Sequence, residues 1–361
     1  NRTAMLAVLR SYGVPQQLVE IIQDLYTGTQ CQVRTEDGES QVFEVKTGVR
    51  QGCVLSPLLF NCFMDRVVKD MDETLGGGLH VEYTTSGGLF LSYRDKTEAS
   101  AVIQDIMYAD DLALAAETRS ELQHMLNVLD NACKRWGMNI NGEKTKILIA
   151  GEQQEEAAPS PIMLQNHALQ EVECFSYLGS QVEATGKVEK EVTSRIEKAG
   201  TVYQIWRRKV FRSRNLSKET KMRVFRTMVM SVLLYGAETW PVTKKEIRKL
   251  TTFQMRCLRD ILGVTLWHRH HNSDILRETG EPPVEDQLRQ KRLQWFGHMQ
   301  RMPDHRVQKQ MLRCRPKGKK RLPGGTQQRW VDLLNRDLAS IPNWQQVVQD
   351  RDEWRSLIYR T

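Results

Sequence analysis

Apolar residues recur at helical spacing over most of the chain and give way to alternation in a few short stretches. Ala4, Leu6, Ala7 and Leu9 predict a helix from about Thr3 to Arg10, stopped by Gly13-Val14-Pro15. Leu18, Ile21, Ile22 and Leu25 predict a second helix that starts near Pro15 and fades at Thr27-Gly28. Alternating residues at Cys31 to Arg34 and Gln41 to Lys46, with Glu36-Asp37-Gly38 between them, predict a hairpin. Ser56-Pro57 reads as an N-cap hydroxyl followed by proline at the first helical position. It leads into the apolar positions Leu58, Leu59, Phe60, Phe63, Met64, Val67, Val68 and Met71, and Gly76-Gly77-Gly78 ends that helix. Ala101 to Tyr108 and Leu112 to Ala116 predict two strands that place Asp110 and Asp111 at a hairpin tip. Thr118 and Glu121 suit a capping box for a helix with the stripe Leu122, Met125, Leu126, Leu129 and Trp136, stopped at Gly137.

Residues 151–161 read as a polar surface loop, and Cys174 to Val182 as a further strand pair. From Gly186 the pattern is helical. Val188, Val192, Ile196, Ala199, Tyr203 and Trp206 line one face, and a helix capped by Ser217 carries Met222, Phe225, Met228, Val229 and Val232. Lys218, Lys221, Arg223 and Arg226 fall on the opposite face. The rest of the chain reads as helical, with a basic loop from Arg313 to Arg321.

At 361 residues the chain exceeds what one core organises, so two or three units are expected. Its 40% hydrophobic and 27% charged residues suit a globular protein, and no uncharged apolar run is long enough to span a bilayer. Cys31, Cys53, Cys62, Cys133, Cys174, Cys257 and Cys314 are scattered and odd in number. They suggest no disulfide framework and point to a reducing compartment, nucleus or cytosol. The net charge of +8 hides a stronger asymmetry. Through Ser180 there are 14 Lys+Arg against 25 Asp+Glu, and beyond it 38 against 19, giving −11 and +19. The basic half suits neutralisation of phosphates, and the acidic half suits cations.

Phosphoryl transfer from a nucleotide needs carboxylates that bridge two divalent cations. Adjacent aspartates on a tight turn supply such groups, although an isolated Asp-Asp turn is more often plain solvated surface. Here the turn has company. The run from Gly48 to Phe60, Gly-Val-Arg-Gln-Gly-Cys-Val-Leu-Ser-Pro-Leu-Leu-Phe, precedes Ile106 to Ala116, and the two resemble motifs B and C of reverse transcriptases. Trp136-Gly137-Met138-Asn139-Ile140-Asn141-Gly142-Glu143-Lys144-Thr145-Lys146 is similar to motif D, and Cys174-Phe175-Ser176-Tyr177-Leu178-Gly179 to motif E. Tyr235 to Trp240 and Leu293 to His298 resemble downstream segments of retroelement proteins. The likeness is to the polymerases of non-LTR retrotransposons.

The resemblance implies an α+β fold. A palm of small antiparallel sheet backed by helices would occupy residues 1–185, a helical thumb 186–240, and a basic helical region 241–361. It implies Asp110 and Asp111 as catalytic ligands of two Mg²⁺ ions, with Asp110 the more central, and Lys144 as charge stabiliser or acid at the pyrophosphate. Arg50, Gln51, Gly52, Ser56 and Tyr108 would contact the incoming nucleotide, and Phe175, Tyr177, Leu178 and Gly179 would form the primer grip. Arg195, Lys198, Arg207, Arg208, Lys209, Arg212, Arg214 and Lys221 would face the template-primer backbone. The implied partners are an RNA template, a DNA primer and deoxynucleoside triphosphates. In this family the first catalytic aspartate lies in an Ala-Phe-Asp segment just ahead of a stretch like Asn1-Arg2, so the chain is expected to begin after it and to lack activity alone. The rival reading is a non-catalytic nucleic-acid-binding remnant. His268, His270 and His271, or His298 and His305, repeat no paired metal-ligand spacing with the nearby cysteines.

Overall fold

The computed structural model describes residues 1–36, 38–72, 75, 77–84, 98–150, 160–314 and 329–360. Packing divides the described chain into two compact units. One comprises Asn1–Val81, Ser100–Ile147 and Glu155–Gln170, and the other Glu82–Ala99, Leu148–Gln154 and Glu171–Thr361.

In the first unit the helices Arg2–Ser11, Gln16–Tyr26, Ser56–Asp72 and Arg119–Arg135 share one core, in which Val19, Val67 and Met71 are fully buried. Asn1 caps the first helix by accepting the Ala4 N–H at 3.2 Å. Thr118 caps the Arg119–Arg135 helix through the Glu121 N–H, also at 3.2 Å. The reciprocal arm of the expected box goes elsewhere. The Glu121 carboxylate accepts the N–H groups of Gly78 at 2.5 Å and Glu117 at 2.9 Å, and the Gly78 bond above all holds its pKa below the usual range. Trp136 donates its Nε1–H to the buried Asp70 at 2.7 Å, and Gly137, at φ +69°, turns the chain left-handed behind it.

The expected hairpin of residues 30–44 forms as two nested ladders, Gln30–Cys31 with Phe43–Glu44 and Arg34–Thr35 with Gly38–Glu39. The expected strand from Ala101 to Tyr108 breaks at Gln104 into Glu98–Ile103 and Asp105–Tyr108. Gln104 accepts the Ala115 N–H on its carbonyl and donates its amide to the Gly77 carbonyl, so its polar groups are satisfied outside the regular ladder. Each described strand pairs with one other only, which gives two-stranded ladders in place of one continuous small sheet.

The second unit includes the hairpin of Cys174–Tyr177 and Ser180–Glu183, so packing groups this hairpin with the helices that follow it. A single core runs from Val192 through Trp240 and Val242 to Leu333, across residue 240. The helix Glu189–Trp206 widens at its end into a π segment, Arg207–Phe211, and Lys218–Val224 widens likewise into Phe225–Met230. The wider turns put Phe211 between Tyr203, stacked at 4.7 Å, and Phe225, edge-on at 6.3 Å. They also shift the register. Met228, predicted on the apolar face, is 40% exposed, and Met230 is buried in its stead. A third core, built around Leu293, Phe296, Leu334 and Trp354, closes the C-terminal helices. The basic loop predicted at 313–321 lies, from residue 315, outside the described residues, as do residues 151–159 of the polar loop and Gly76. No described helix is long and apolar enough to cross a membrane.

Candidate functional site

The Asp-Asp turn is a two-residue hairpin connection. Tyr108 pairs with Asp111, and Ala109 closes the turn at φ +55°. A side chain in this left-handed region costs roughly 1 kcal/mol, which the packed strands behind it sustain. Asp110, Asp111 and Tyr108 all face solvent, Tyr108 at 66% exposure, while Leu112 and Leu114 pack on the first unit's core. Alternation along the strand thus anchors one side and leaves the acids on an open tip.

The loop ahead of the Ser56–Asp72 helix is fastened at several points. Ser56 is the first helical residue, and its hydroxyl donates to the Arg50 carbonyl at 2.6 Å. The expected role as N-cap is corrected: the hydroxyl ties the loop shut. Tyr26 lies 3.3 Å from that hydroxyl through its own Oη, and the guanidinium groups of Arg2 and Arg50 sit 4.9 and 5.8 Å from its ring centroid. Arg2 also donates to the carbonyls of Tyr26 and Gly48. Arg50 donates to Thr29 Oγ1 at 3.2 Å. Gln51 and Gly52 stay exposed, Gly52 at φ +81° with open space where a Cβ would stand, so a ligand can approach its backbone closely. Tyr26 was not foreseen as part of this loop. Its only signal is an aromatic at a helix end among aliphatic core positions.

Lys144 is exposed in a turn whose start is fixed by Asn141, which accepts the Lys144 N–H on its side chain. Val49, Leu112, Leu114, Trp136, Met138 and Ile140 all pack on the same core. One core therefore anchors the loop of Arg50, the Asp-Asp hairpin and the segment that leads to Lys144. Asp110 and Asp111 are hard oxygen donors, exposed and adjacent, as a divalent cation of the Mg²⁺ kind requires. Among the described residues no group of three or more His, Cys, Asp or Glu gathers as a metal site.

In the second unit Phe175 and Tyr177 are half-buried, and Leu178 and Gly179 form the exposed turn of the hairpin. The basic residues divide into two sets. Arg207 grips Asp260 with two hydrogen bonds, at 2.8 and 3.0 Å, and Arg212 reaches the same carboxylate at 2.6 Å. Tyr203 donates to it as well, at 2.8 Å. The Arg207 bond, then those of Arg212 and Tyr203, hold the Asp260 carboxyl well below the usual range, and burial pushes the Tyr203 hydroxyl up. Arg195 is buried against Glu191. Arg195 is thus buried, whereas Arg207 is half-buried and Arg212 exposed while each pairs with Asp260. Lys198, Arg208, Lys209 and Arg214 are exposed, and Lys221 is half-buried.

The reverse transcriptase (RNA-dependent DNA polymerase) family matches residues 3–182, which hold the fastened loop, the Asp-Asp hairpin and all but the last residue of the 174–183 hairpin. The chain belongs to the reverse transcriptase family. It is 26% identical over 278 residues to a transposon-derived protein of Caenorhabditis elegans, covering 72% of this chain and 96% of that protein. It is 30% identical over 199 residues to the Pol polyprotein from the type-2 retrotransposable element R2DM of Drosophila melanogaster, covering 52% of this chain and 17% of that polyprotein. It is 23% identical over 282 residues to the RNA-directed DNA polymerase from the mobile element jockey of the same fly, covering 76% of this chain and 28% of that enzyme. The chain therefore spans nearly all of the worm relative and less than a third of the two fly proteins.

Proposed function

We propose that the chain acts in RNA-directed DNA synthesis for a non-LTR retrotransposon, adding deoxynucleotides to a primer 3′ hydroxyl on an RNA template. The observation that carries this reading is the exposed Tyr108-Ala109-Asp110-Asp111 turn, held by the same core as the fastened Arg50 loop, within the segment that matches the family. Asp110 and Asp111 would hold Mg²⁺, which lowers the charge barrier to attack and to release of pyrophosphate. Arg50 and Gln51 stand exposed to meet triphosphate or template, and the open backbone at Gly52 admits the nucleotide closely. Ser56 shapes that pocket through the Arg50 carbonyl, and Tyr108 offers a ring beside the acids. Lys144 supplies positive charge toward the leaving group. Phe175, Tyr177, Leu178 and Gly179 hold the primer end as palm residues. Arg208, Lys209, Arg214 and Lys221 contact phosphates of the DNA primer and RNA template, in the thumb that begins near residue 186. The work of such a protein belongs in the nucleus, where chromosomal ends prime synthesis, or in the cytoplasm, where its RNA is translated.

The test is Mg²⁺-dependent primer extension by the longest reading frame that contains this chain. Asp110→Asn lowers the rate by at least about a hundredfold, the scale of losing a charge-stabilising group. Extension unchanged by Asp110→Asn would remove Asp110 from the centre. A second reading is a nucleic-acid-binding protein without polymerase activity. It is favoured by the worm relative, 96% of which this chain covers. It predicts salt-sensitive binding of template-primer with no incorporation, whatever sequence accompanies the chain.

A further inference from the structure

The turn between Cys174–Tyr177 and Ser180–Glu183 is left-handed at both of its residues, Leu178 at φ +47° and Gly179 at φ +80°. Two-residue hairpins of this hand usually carry glycine, asparagine or aspartate at the first place, because a branched side chain there is strained. Something must hold Leu178. The Tyr235 hydroxyl donates to the Leu178 carbonyl at 3.0 Å, and Arg195 Nη2 donates to the Gly179 carbonyl at 2.5 Å. The Arg195 guanidinium lies 4.4 Å from the Tyr235 ring centroid, so the two donors brace each other. Arg195 Nε donates to Glu191 Oε1 at 2.7 Å, and Glu191 Oε2 accepts the Gln181 N–H at 2.7 Å, which returns the chain of bonds to the hairpin. Glu191 is 1% exposed and Arg195 6%. A Cβ at Gly236 would stand 3.1 Å from Ser180 Oγ, so the glycine after Tyr235 permits this approach.

A buried ion pair is a poor source of stability, since desolvation of both charges offsets most of their attraction. Its use here is geometric. In a trans peptide the carbonyl and the N–H point opposite ways. Drawing the Leu178 carbonyl toward Tyr235 turns the Gly179 N–H away from it, and among the described residues that N–H has no protein acceptor. Leu178 itself is 39% exposed beside it. We propose that Glu191, Arg195 and Tyr235 are positioning residues that lock the Leu178-Gly179 turn so that its outward N–H and the Leu178 side chain receive the 3′-terminal phosphodiester and sugar of the primer. This inference rests on the primer-grip reading of residues 175–179 and adds to it the three side chains that make the grip rigid.

The experiment uses the full chain and a template-primer with 2-aminopurine as the primer's 3′-terminal base. Affinity, 3′-base fluorescence and thermal melting are compared for the parent, Tyr235→Phe, Arg195→Lys and Leu178→Ala, with a blunt duplex as control. Tyr235→Phe keeps the ring over Arg195 and loses one hydrogen bond. It leaves melting and blunt-duplex affinity within about twofold of the parent, weakens recessed-end binding about fivefold and shifts the 3′-base signal. Arg195→Lys, which cannot serve both Glu191 and the Gly179 carbonyl with one fork, weakens recessed-end binding further. If Leu178→Ala alters the 3′-base signal and Tyr235→Phe does not, the positioning role falls while the primer grip stands. Equal losses on blunt and recessed duplexes also overturn the positioning role. If Leu178→Ala changes neither affinity nor signal, or if the chain binds no template-primer, the primer-grip reading falls as well.

Discussion

Asp105 heads the strand that ends at Tyr108, half-buried, and burial above all, then the charge of Asp72, raises its pKa. Asp72 is itself raised by burial. A carboxyl whose folded pKa lies above its unfolded value stabilises the fold only while both states keep the proton, and that contribution is lost as pH rises through the folded pKa. Asp105→Asn therefore raises the melting temperature at pH 7 and leaves it nearly unchanged near pH 3, as scanning calorimetry at the two pH values will show. Gly297 illustrates a different constraint. A Cβ there would stand 2.2 Å from Trp354 Nε1, and Trp354, 2% exposed, donates that N–H to the Leu293 carbonyl at 3.0 Å. Gly297→Ala must push the indole out of its seat, at a cost of about 2 kcal/mol, measurable by denaturant unfolding. The motif Leu293-Gln294-Trp295-Phe296-Gly297-His298 thus has a packing explanation: Leu293 and Phe296 fill the core, and Gly297 lets a tryptophan close over them.

Among the elements of the second unit, Asp260 joins the helix Lys244–Leu262 to the helix Glu189–Trp206 and its π extension through Tyr203, Arg207 and, just past the π segment, Arg212. Asp260→Ala leaves two partly exposed guanidinium groups without their carboxylate and the Tyr203 hydroxyl without its acceptor, and costs about 1–2 kcal/mol of stability by denaturant unfolding. Glu189 accepts from Lys245 and Lys249, which ties the start of the helix Glu189–Trp206 to Lys244–Leu262, but in solvent. The hydrogen bond from Lys245, then that from Lys249, holds the Glu189 pKa down to about 2. A depressed carboxyl contributes above its unfolded pKa and ceases to as pH falls through the folded one. The Glu189 contribution is thus present at neutral pH and lost toward pH 2, and salt screens it. Glu189→Gln should melt below the parent in dilute buffer and level with it in about 1 M salt. A comparable destabilisation at high salt would show that Glu189 acts through packing. Helix starts, stops and apolar stripes of these elements were legible in the sequence because they follow from local periodicity and capping. The π turns were not: they add a residue to a turn where Phe211 and Phe225 must meet, and that requirement comes from the partner helix.

Across the whole molecule the basic excess beyond Ser180 is already net of the acids there, and the structure decides which arginines those acids hold. Arg195, Arg207, Arg212 and Arg226 are paired with carboxylates of the fold, Arg212 and Arg226 at its surface, and Arg208, Lys209 and Arg214 are exposed. Replacing those last three with alanine should lower the slope of log affinity against log salt by about 3, with little change in melting. Arg207→Ala should lower melting instead and leave the slope nearly as it was, since its charge already meets Asp260. The order of motifs, the exposed Asp110-Asp111 turn, the Arg50 loop and the hairpin of residues 174–183 were all readable from the chain, because each is a local run with its own spacing and turn chemistry. Tyr26 as the post that fastens the Arg50 loop, the Gln104 break, and the sorting of arginines into ion pairs and free charges were not readable. Sequence determines which residues are near one another along the chain and what chemistry they carry. Only the tertiary structure decides which charges meet a partner, since a carboxylate such as Asp260 reaches an arginine 53 positions away through packing that no local pattern records.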